Sequence, residues 1–256
     1  MRKAIYAYWL LLCYAVSHTS CHSRIIPQQS AVNKEVTDSH GNPKLLGPCT
    51  KERLQEAPYD TWFVKNYQAY TVDSGTADQL KTALAGKQFR IFMGTWCGDS
   101  KREVPRIFKI LDYCRIPANS VQLIMVDNAD STYKQSPGHE EKGLDIFRVP
   151  DLLVYDRGQE RGRIVESPVQ SLEKDLLTLA TGQPYTPNYK GVDFLIHQFR
   201  TRQTGEIQKE LPLLAAQIKP LLGYSSELNS YAHVMQVAGE TEKAAITRQL
   251  NALIFQ

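Results

Sequence analysis

The stretch MGTWCGDSKREVP, residues 93–105, decides how this chain is read. An apolar run of buried-strand type, QFRIFMGTW (88–96), delivers the chain into a Trp-Cys pair, and a helical pattern begins directly afterwards. Such a layout announces a catalytic thiol loop, whose usual form is Cys-x-x-Cys at the start of a helix. One part is replaced here. Ser100 stands where the second cysteine would be, three residues after Cys97.

Outward from this loop, the pattern is that of an α/β domain. TWFVKNYQAYTV (61–72) alternates well enough to predict a strand, and Ala77–Ala85 suits a short helix. Ser100–Cys114 reads as a helix with Val104, Ile107, Phe108 and Leu111 on one face. SVQLIMVDN (120–128) is a second continuous apolar strand. PDLLVYD (150–156) and RGRIVES (161–167) flank a turn at Arg157-Gly158 and predict a hairpin. A helix from about Val169 to Ala180, with Leu172, Leu176 and Leu179 at helical spacing, closes the unit. Strand, helix, strand, hairpin and helix together predict a sandwich with a mixed central sheet over residues 59–181.

Both flanks differ in character. Residues 22–58 are polar and punctuated by Pro27, Pro43 and Pro48, which predicts a flexible tether carrying Cys49. Residues 182–191 read as a linker, and 192–256 as a helical extension in three pieces, 192–203, 205–222 and 226–254. Leu228, Tyr231, Ala232 and Met235 mark one apolar face of the last piece, and Ala244, Ala245 and Leu250 another, with a turn at Gly239 between them. The spacing of Ala232, Gly239 and Ala244 resembles a single tetratricopeptide repeat, but Arg248 stands where a bulky aromatic is usual. A lone repeat cannot bury its own face, so the expectation is a helical hairpin docked on the main domain.

The N-terminus has the plan of a secretory signal over residues 1–21. Arg2 and Lys3 precede an apolar stretch from Ala4 to Val16, too short for a stable membrane span. The other reading is a cytosolic amphipathic start. Given export, cleavage falls after Ser17 or just before Cys21, and the second option resembles a lipoprotein signal that would place a lipid on Cys21 and anchor the protein to a membrane. Export to the periplasm or cell envelope would put Cys49, Cys97 and Cys114 where disulfides persist. The net charge is +3 with both signs interleaved, which argues against a nucleic-acid partner. Of the six histidines only His18 and His22 stand four apart, and none lies beside paired cysteines, which argues against a zinc site. No metal and no bound cofactor is implied.

Residues 62–181 resemble the thioredoxin family. WCGDS follows a buried strand and opens a helix, and Pro105 falls eight residues after Cys97. RVPDLLVY (148–155) resembles the segment in which a cis-proline faces the active sulfur, and GRIVE follows the Gly158 turn. The resemblance implies that Pro105 kinks the helix, that Pro150 is the cis-proline, and that Ile91 occupies the position of a buried carboxylate assisting the resolving step.

The chemistry of these residues follows from general principles. A sulfur at a helix start meets free backbone N–H groups and the positive end of the dipole, which favour the thiolate. Trp96 is expected to shield one side of Cys97, and Ser100, one turn along, to donate a hydrogen bond to it. Gly98 and the extended backbone of Val149-Pro150 are the candidate substrate-binding elements, offering an edge for a peptide to pair with. Asp99 opposes the thiolate, and Lys101 and Arg102 partly offset it. Cys114, seventeen residues on, would lie about 25 Å away along a helix, beyond disulfide reach. It is expected to be buried or a structural partner. Cys49 could pair with Cys97, pair with Cys114, or stay free.

Two functions follow. The first is an exported single-cysteine thiol–disulfide oxidoreductase, with Cys97 as nucleophile, Ser100 and Trp96 tuning it, and release by an external thiol. Its partners would be protein or small-molecule thiols and disulfides. The second is a non-catalytic module that binds a protein partner through the groove near Pro150 and the helical tail. A peroxide-reducing enzyme fits less well, since Thr95 lies only two residues before Cys97 and the Thr-x-x-Cys spacing is absent.

Overall fold

A computed structural model describes residues 31–255. The signal reading of 1–21, the lipidation candidate Cys21 and the first part of the tether lie outside the described residues. The elements run β1 (Lys34–Thr37), β2 (Pro43–Cys49), α1 (Lys51–Leu54), α2 (Asp60–Ala69), α3 (Ser74–Ala83), β3 (Gln88–Met93), α4 (Gly98–Tyr113), β4 (Val121–Met125), β5 (Asp151–Asp156), β6 (Gln159–Val165), α5 (Leu172–Ala180), α6 (Lys190–Thr201), α7 (Thr204–Lys209), α8 (Leu211–Ile218), α9 (Ser225–Val237) and α10 (Thr241–Ile254). The fold class is α/β. Among the described residues, six strands form one mixed sheet in the order β1-β2-β4-β3-β5-β6. The central pair β3–β4 is parallel, and β5 joins β3 antiparallel, as β6 joins β5.

Period-two burial on β3 sorts its side chains between two layers. Phe89, Ile91 and Met93 enter a core with α2, α4 and α5, whereas Phe92 packs on the opposite face with Ile124, Val126 and Leu153. Ile91 is therefore an ordinary core residue. On α4 the expected stripe Val104, Ile107, Phe108 and Leu111 is buried. Pro105 sits inside this helix and cannot donate to the carbonyl four residues back, that of Lys101. Asn66 of α2 supplies the missing donor: its Nδ2 lies 3.0 Å from the Lys101 carbonyl oxygen.

Two expectations need correction. Residues 61–72 do not form a strand; α2 occupies most of that stretch. Its aromatic positions also satisfy helical spacing, with Tyr59, Phe63 and Tyr67 four apart. Phe63 stacks on Tyr67 at 6.1 Å and meets Phe108 of α4 at the same centroid distance. Residues 22–58 are not a tether throughout, since β1, β2 and α1 lie within them. The prolines are tolerated because β2 changes partner along its length. Residues 43–46 pair with β1 and residues 47–49 with β4, and Gly47 marks the change at φ +79°. Pro43 opens the strand, where a missing N–H matters least. Leu45 is fully buried beneath it all.

The segment 182–189 carries no helix or strand but is tied to the main domain. Tyr185 donates to Asp175 at 2.9 Å, and Asn188 donates to the Ser167 carbonyl at 2.8 Å. Beyond it, α6–α10 enclose a second core. Leu228, Tyr231, Ala232, Met235, Ala244 and Leu250 are buried as expected, but Ala245 is exposed, and Ile246 and Thr247 turn inward instead. Phe147 and Val165 of the main domain belong to the same core, so the extension is docked rather than free. The piece expected at 205–222 is divided into α7, α8 and a short 3-10 turn, with Pro212 at the start of α8. No helix among the described residues is long and apolar enough to cross a membrane.

Candidate active site around Cys97

The end of β3 and the start of α4 place Cys97 at the helix N-cap, with extended backbone (φ −89°, ψ 126°). Its side chain is half-buried, and its Sγ–H donates to the carbonyl oxygen of Val149 at 3.2 Å. The Val149-Pro150 peptide is cis. Sulfur, helix start and cis-proline thus converge, although 52 residues separate Cys97 from Val149.

The flanking residues take roles the spacing did not foretell. Ser100 is fully buried, and its Oγ accepts from the Gly94 N–H at 3.4 Å. Among the described residues it makes no hydrogen bond to Cys97, which corrects the expected hydroxyl–sulfur contact. The reason is local: β3 ends beside the first turn of α4, and the Ser100 side chain is buried facing the Gly94 amide. Trp96 folds back over the loop. Its Nε1 donates to the Val126 carbonyl at 3.0 Å, and a methyl group on Gly94 would fall 2.3 Å from the indole. Trp96 and Cys97 pack side by side against the cluster holding Phe92, Ile124 and Val149.

Approach to the sulfur is open on one side. Gly98 is exposed, with no atom within 4 Å of where its Cβ would lie. The backbone edge at 149–150 is less free than expected, since Val149 O accepts from Cys97 and Pro150 O accepts from the Glu166 N–H at 2.7 Å. Asp99 is paired with Arg102 at 2.7 Å, which offsets its repulsion of a neighbouring thiolate.

Cys49, Cys97 and Cys114 are all free. Cys49 is a β2 residue packed in the main core, so it has no freedom to swing. Burial pushes its thiol up to about 12. Cys114, at the C-cap of α4, is also buried, and burial raises its thiol above the ordinary range. Neither can act on Cys97.

Several charged residues beside Cys97 were not read from the sequence. Lys134 and Tyr133 come from the long connection between β4 and β5, Arg148 from two residues before Pro150, and Glu166 from just beyond β6. Lys134 is 5% exposed, with its Nζ 4.2 Å from the Trp96 ring centroid and 5.0 Å from that of Tyr133. Burial raises the Tyr133 phenol, with Cys97 adding to the rise against Arg148. Burial likewise raises Glu166, opposed by Arg148, whose Nη1 lies 3.9 Å away. Only the position of Arg148, next to the Val-Pro pair, could have flagged any of the four. Comparisons with protein-family models, with curated proteins and with solved structures gave no match.

Proposed function

We propose that this chain carries a thioredoxin-like domain and acts as a monothiol, forming mixed disulfides through Cys97. One observation carries the reading: a half-exposed sulfur at the N-cap of a 16-residue helix touches the carbonyl before a cis-proline, while the other two described thiols are buried. The mixed sheet, with parallel β3–β4 at its centre and the β5–β6 hairpin beside it, supports the thioredoxin-like assignment. The export signal read in residues 1–21, with its optional lipid on Cys21, belongs to the same proposal.

The chemistry balances without a second sulfur. The Cys97 thiolate attacks one sulfur of a disulfide R–S–S–R′, a new S–S bond forms, and R′S⁻ leaves with the electron pair and takes a proton from water. An external thiolate then attacks the mixed disulfide and returns Cys97 as thiolate. Ser100 has no sulfur to contribute to this exchange, and among the described residues no other thiol can replace it.

The test is to incubate the protein with glutathione disulfide at pH 7 and locate the adduct by peptide mass spectrometry. The expected result is an adduct on Cys97 and none on Cys49 or Cys114, removed by reduced glutathione and absent from that peptide in Cys97→Ser. A Ser100→Cys variant should then gain a resolving thiol one turn away and reduce insulin. An unmodified Cys97 in the folded protein would sink the proposal and leave the partner-binding reading.

A further inference from the structure

Lys134 is out of place for a structural lysine. Buried lysines are almost always paired, yet among the described residues this ammonium makes no ion pair and no hydrogen bond, and only its tip keeps contact with solvent. Its recorded contacts are the faces of Trp96 and Tyr133. The nearby carboxylates are engaged elsewhere. Asp127, whose carbonyl accepts from the Lys134 N–H at 2.9 Å, forms its ion pair with Lys44. Across the adjoining cavity of about 480 Å³, His139 pairs with Glu141, Arg200 with Asp145 and Lys243 with Glu240, while Lys142 is exposed.

The C-terminal helices hold the loop that carries it. His233 of α9 packs on Tyr133 at 4.9 Å and lies 3.2 Å from Asp130, while Gln135 donates to the Val237 carbonyl at 3.1 Å. Asp145 receives the Tyr231 hydroxyl at 3.1 Å and Arg200 at 2.9 Å. Residues 130–145 are thereby clamped from the far side, and Lys134 is pressed against the indole adjoining Cys97.

We infer that Lys134 is a positioning residue for Cys97: its ammonium, held on the Trp96 ring by a loop that the C-terminal helices clamp, supplies the positive charge that keeps the sulfur as a thiolate. This rests on the monothiol reading above. Of the other charged groups near the sulfur, Asp99 is paired with Arg102 of α4 and Glu166 with Arg148, which leaves Lys134 and the half-buried Lys101 of α4 as the cations without an ion pair among the described residues, and of these Lys134 is the more buried. Burial pushes the ammonium down to about 8, and among charged neighbours Cys97 acts on it most strongly, in the opposite direction. An ammonium and a thiolate at this distance from one ring would each favour the charged form of the other. The same arrangement gives the helical extension a task, because its contacts add to those that Asp127 and Arg163 of the main domain make with residues 130–145.

The test measures iodoacetamide alkylation of Cys97 in the full chain between pH 5.5 and 10, resolved by peptide mass spectrometry. Wild-type Cys97 is expected to react faster than a free cysteine near pH 6.5. Lys134→Met should slow it about tenfold there, one unit of thiol ionisation, and leave the rate at pH 10 unchanged. Lys134→Arg should restore most of the loss. A folded Lys134→Met protein with the wild-type profile overturns this inference and leaves the monothiol reading intact, whereas a wild-type Cys97 no faster than free cysteine overturns both. A measurement on Cys97→Ser keeps the test alive should Lys134→Met fail to fold. The titration of Lys134, followed by the ¹³C shift of its Cε, should move to lower pH once the sulfur is gone, and an unmoved midpoint refutes the coupling.

Discussion

Replacing Gly94 by alanine tests the geometry on which the site depends. The added methyl would lie 2.3, 2.5 and 2.7 Å from three atoms of the Trp96 indole, well inside van der Waals contact. The ring is rigid and adjoins its own backbone only one residue later, so it must rotate away or the loop must shift. Either movement breaks the 3.0 Å hydrogen bond from Nε1 to Val126 O, a loss of about 1 kcal/mol. It also separates the ring from Lys134, and a desolvated cation–π contact is worth about 2 kcal/mol. The reduced freedom of the unfolded chain returns about 0.5–1 kcal/mol. The net expectation is a destabilisation of about 2 kcal/mol, or a fall in Tm of roughly 4–8 °C for a chain of this size.

Thermal unfolding of Gly94→Ala beside wild type reads that shift, and tryptophan emission should move to longer wavelength as the indole enters water. Gly98→Ala is the control, four residues along, where a methyl group meets nothing within 4 Å. It should unfold with wild type or slightly above it. If Gly94→Ala unfolds with the control and its emission is unmoved, Trp96 does not lie over Gly94, and the arrangement of Trp96, Cys97 and Lys134 given above is wrong.

Two further outcomes are expected. Asn66→Ala leaves the Lys101 carbonyl without the donor that Pro105 cannot provide, and should cost about 1–2 kcal/mol in urea unfolding. In a Pro105→Ala background the cost should shrink, because an amide at 105 can bond that carbonyl; additivity of the two changes would refute the compensation. Lys134→Met should stabilise the protein near neutral pH while impairing Cys97. The folded ammonium, pushed down to about 8 by burial, holds its proton less firmly than the unfolded one near 10.5. Between those values the unfolded state binds more protons, so the cost of burial is fully present below pH 8 and fades as pH rises toward 10.5. The stability gap between variant and wild type should be on the order of 3 kcal/mol at pH 7 and close by pH 10.5. A gap independent of pH would show that Lys134 is not a buried charge.

How much of this was legible in the sequence depended on whether the signal was local. QFRIFM and VQLIM are continuous apolar runs, and each became a central strand, because burial on both faces of a sheet demands that composition. Helix α4 declared itself through one apolar face. Residues 61–72 misled because aromatics at short spacing satisfy period 2 and period 3.6 together, and the choice is made by α4, where Phe108 waits. PKLLGPC looked like tether because proline argues against strands, and only the change of pairing partner at Gly47 makes room for it. At the site, Cys97 and Pro150 were legible from motif, and the sulfur does meet the Val149 carbonyl of the cis Val149-Pro150 peptide. The direction of the Ser100 hydroxyl was not, since it depends on where the Gly94 amide lies. Lys134 was least legible of all: DNADSTYKQSP is a polar loop by composition, and nothing local shows that its lysine lies on the Trp96 ring in a loop contacted by a helix a hundred residues away.

In the proposed chemistry these observations bear on one another. A dithiol enzyme needs a second sulfur and a route for the proton that its resolving step moves. Here Ser100 is turned toward Gly94, Ile91 lies in hydrocarbon, and Cys49 and Cys114 are sealed in the core. Every route for release among the described residues is closed at once, by side chains of β2, β3 and α4 with its C-cap. What is open is the Gly98 side, where an incoming thiol meets no side chain. With release left to an external thiol, what the site must supply is a sulfur that stays ionised between encounters. An ammonium on a side chain buried along most of its length serves that purpose, because salt and solvent screen it less than they would a surface charge.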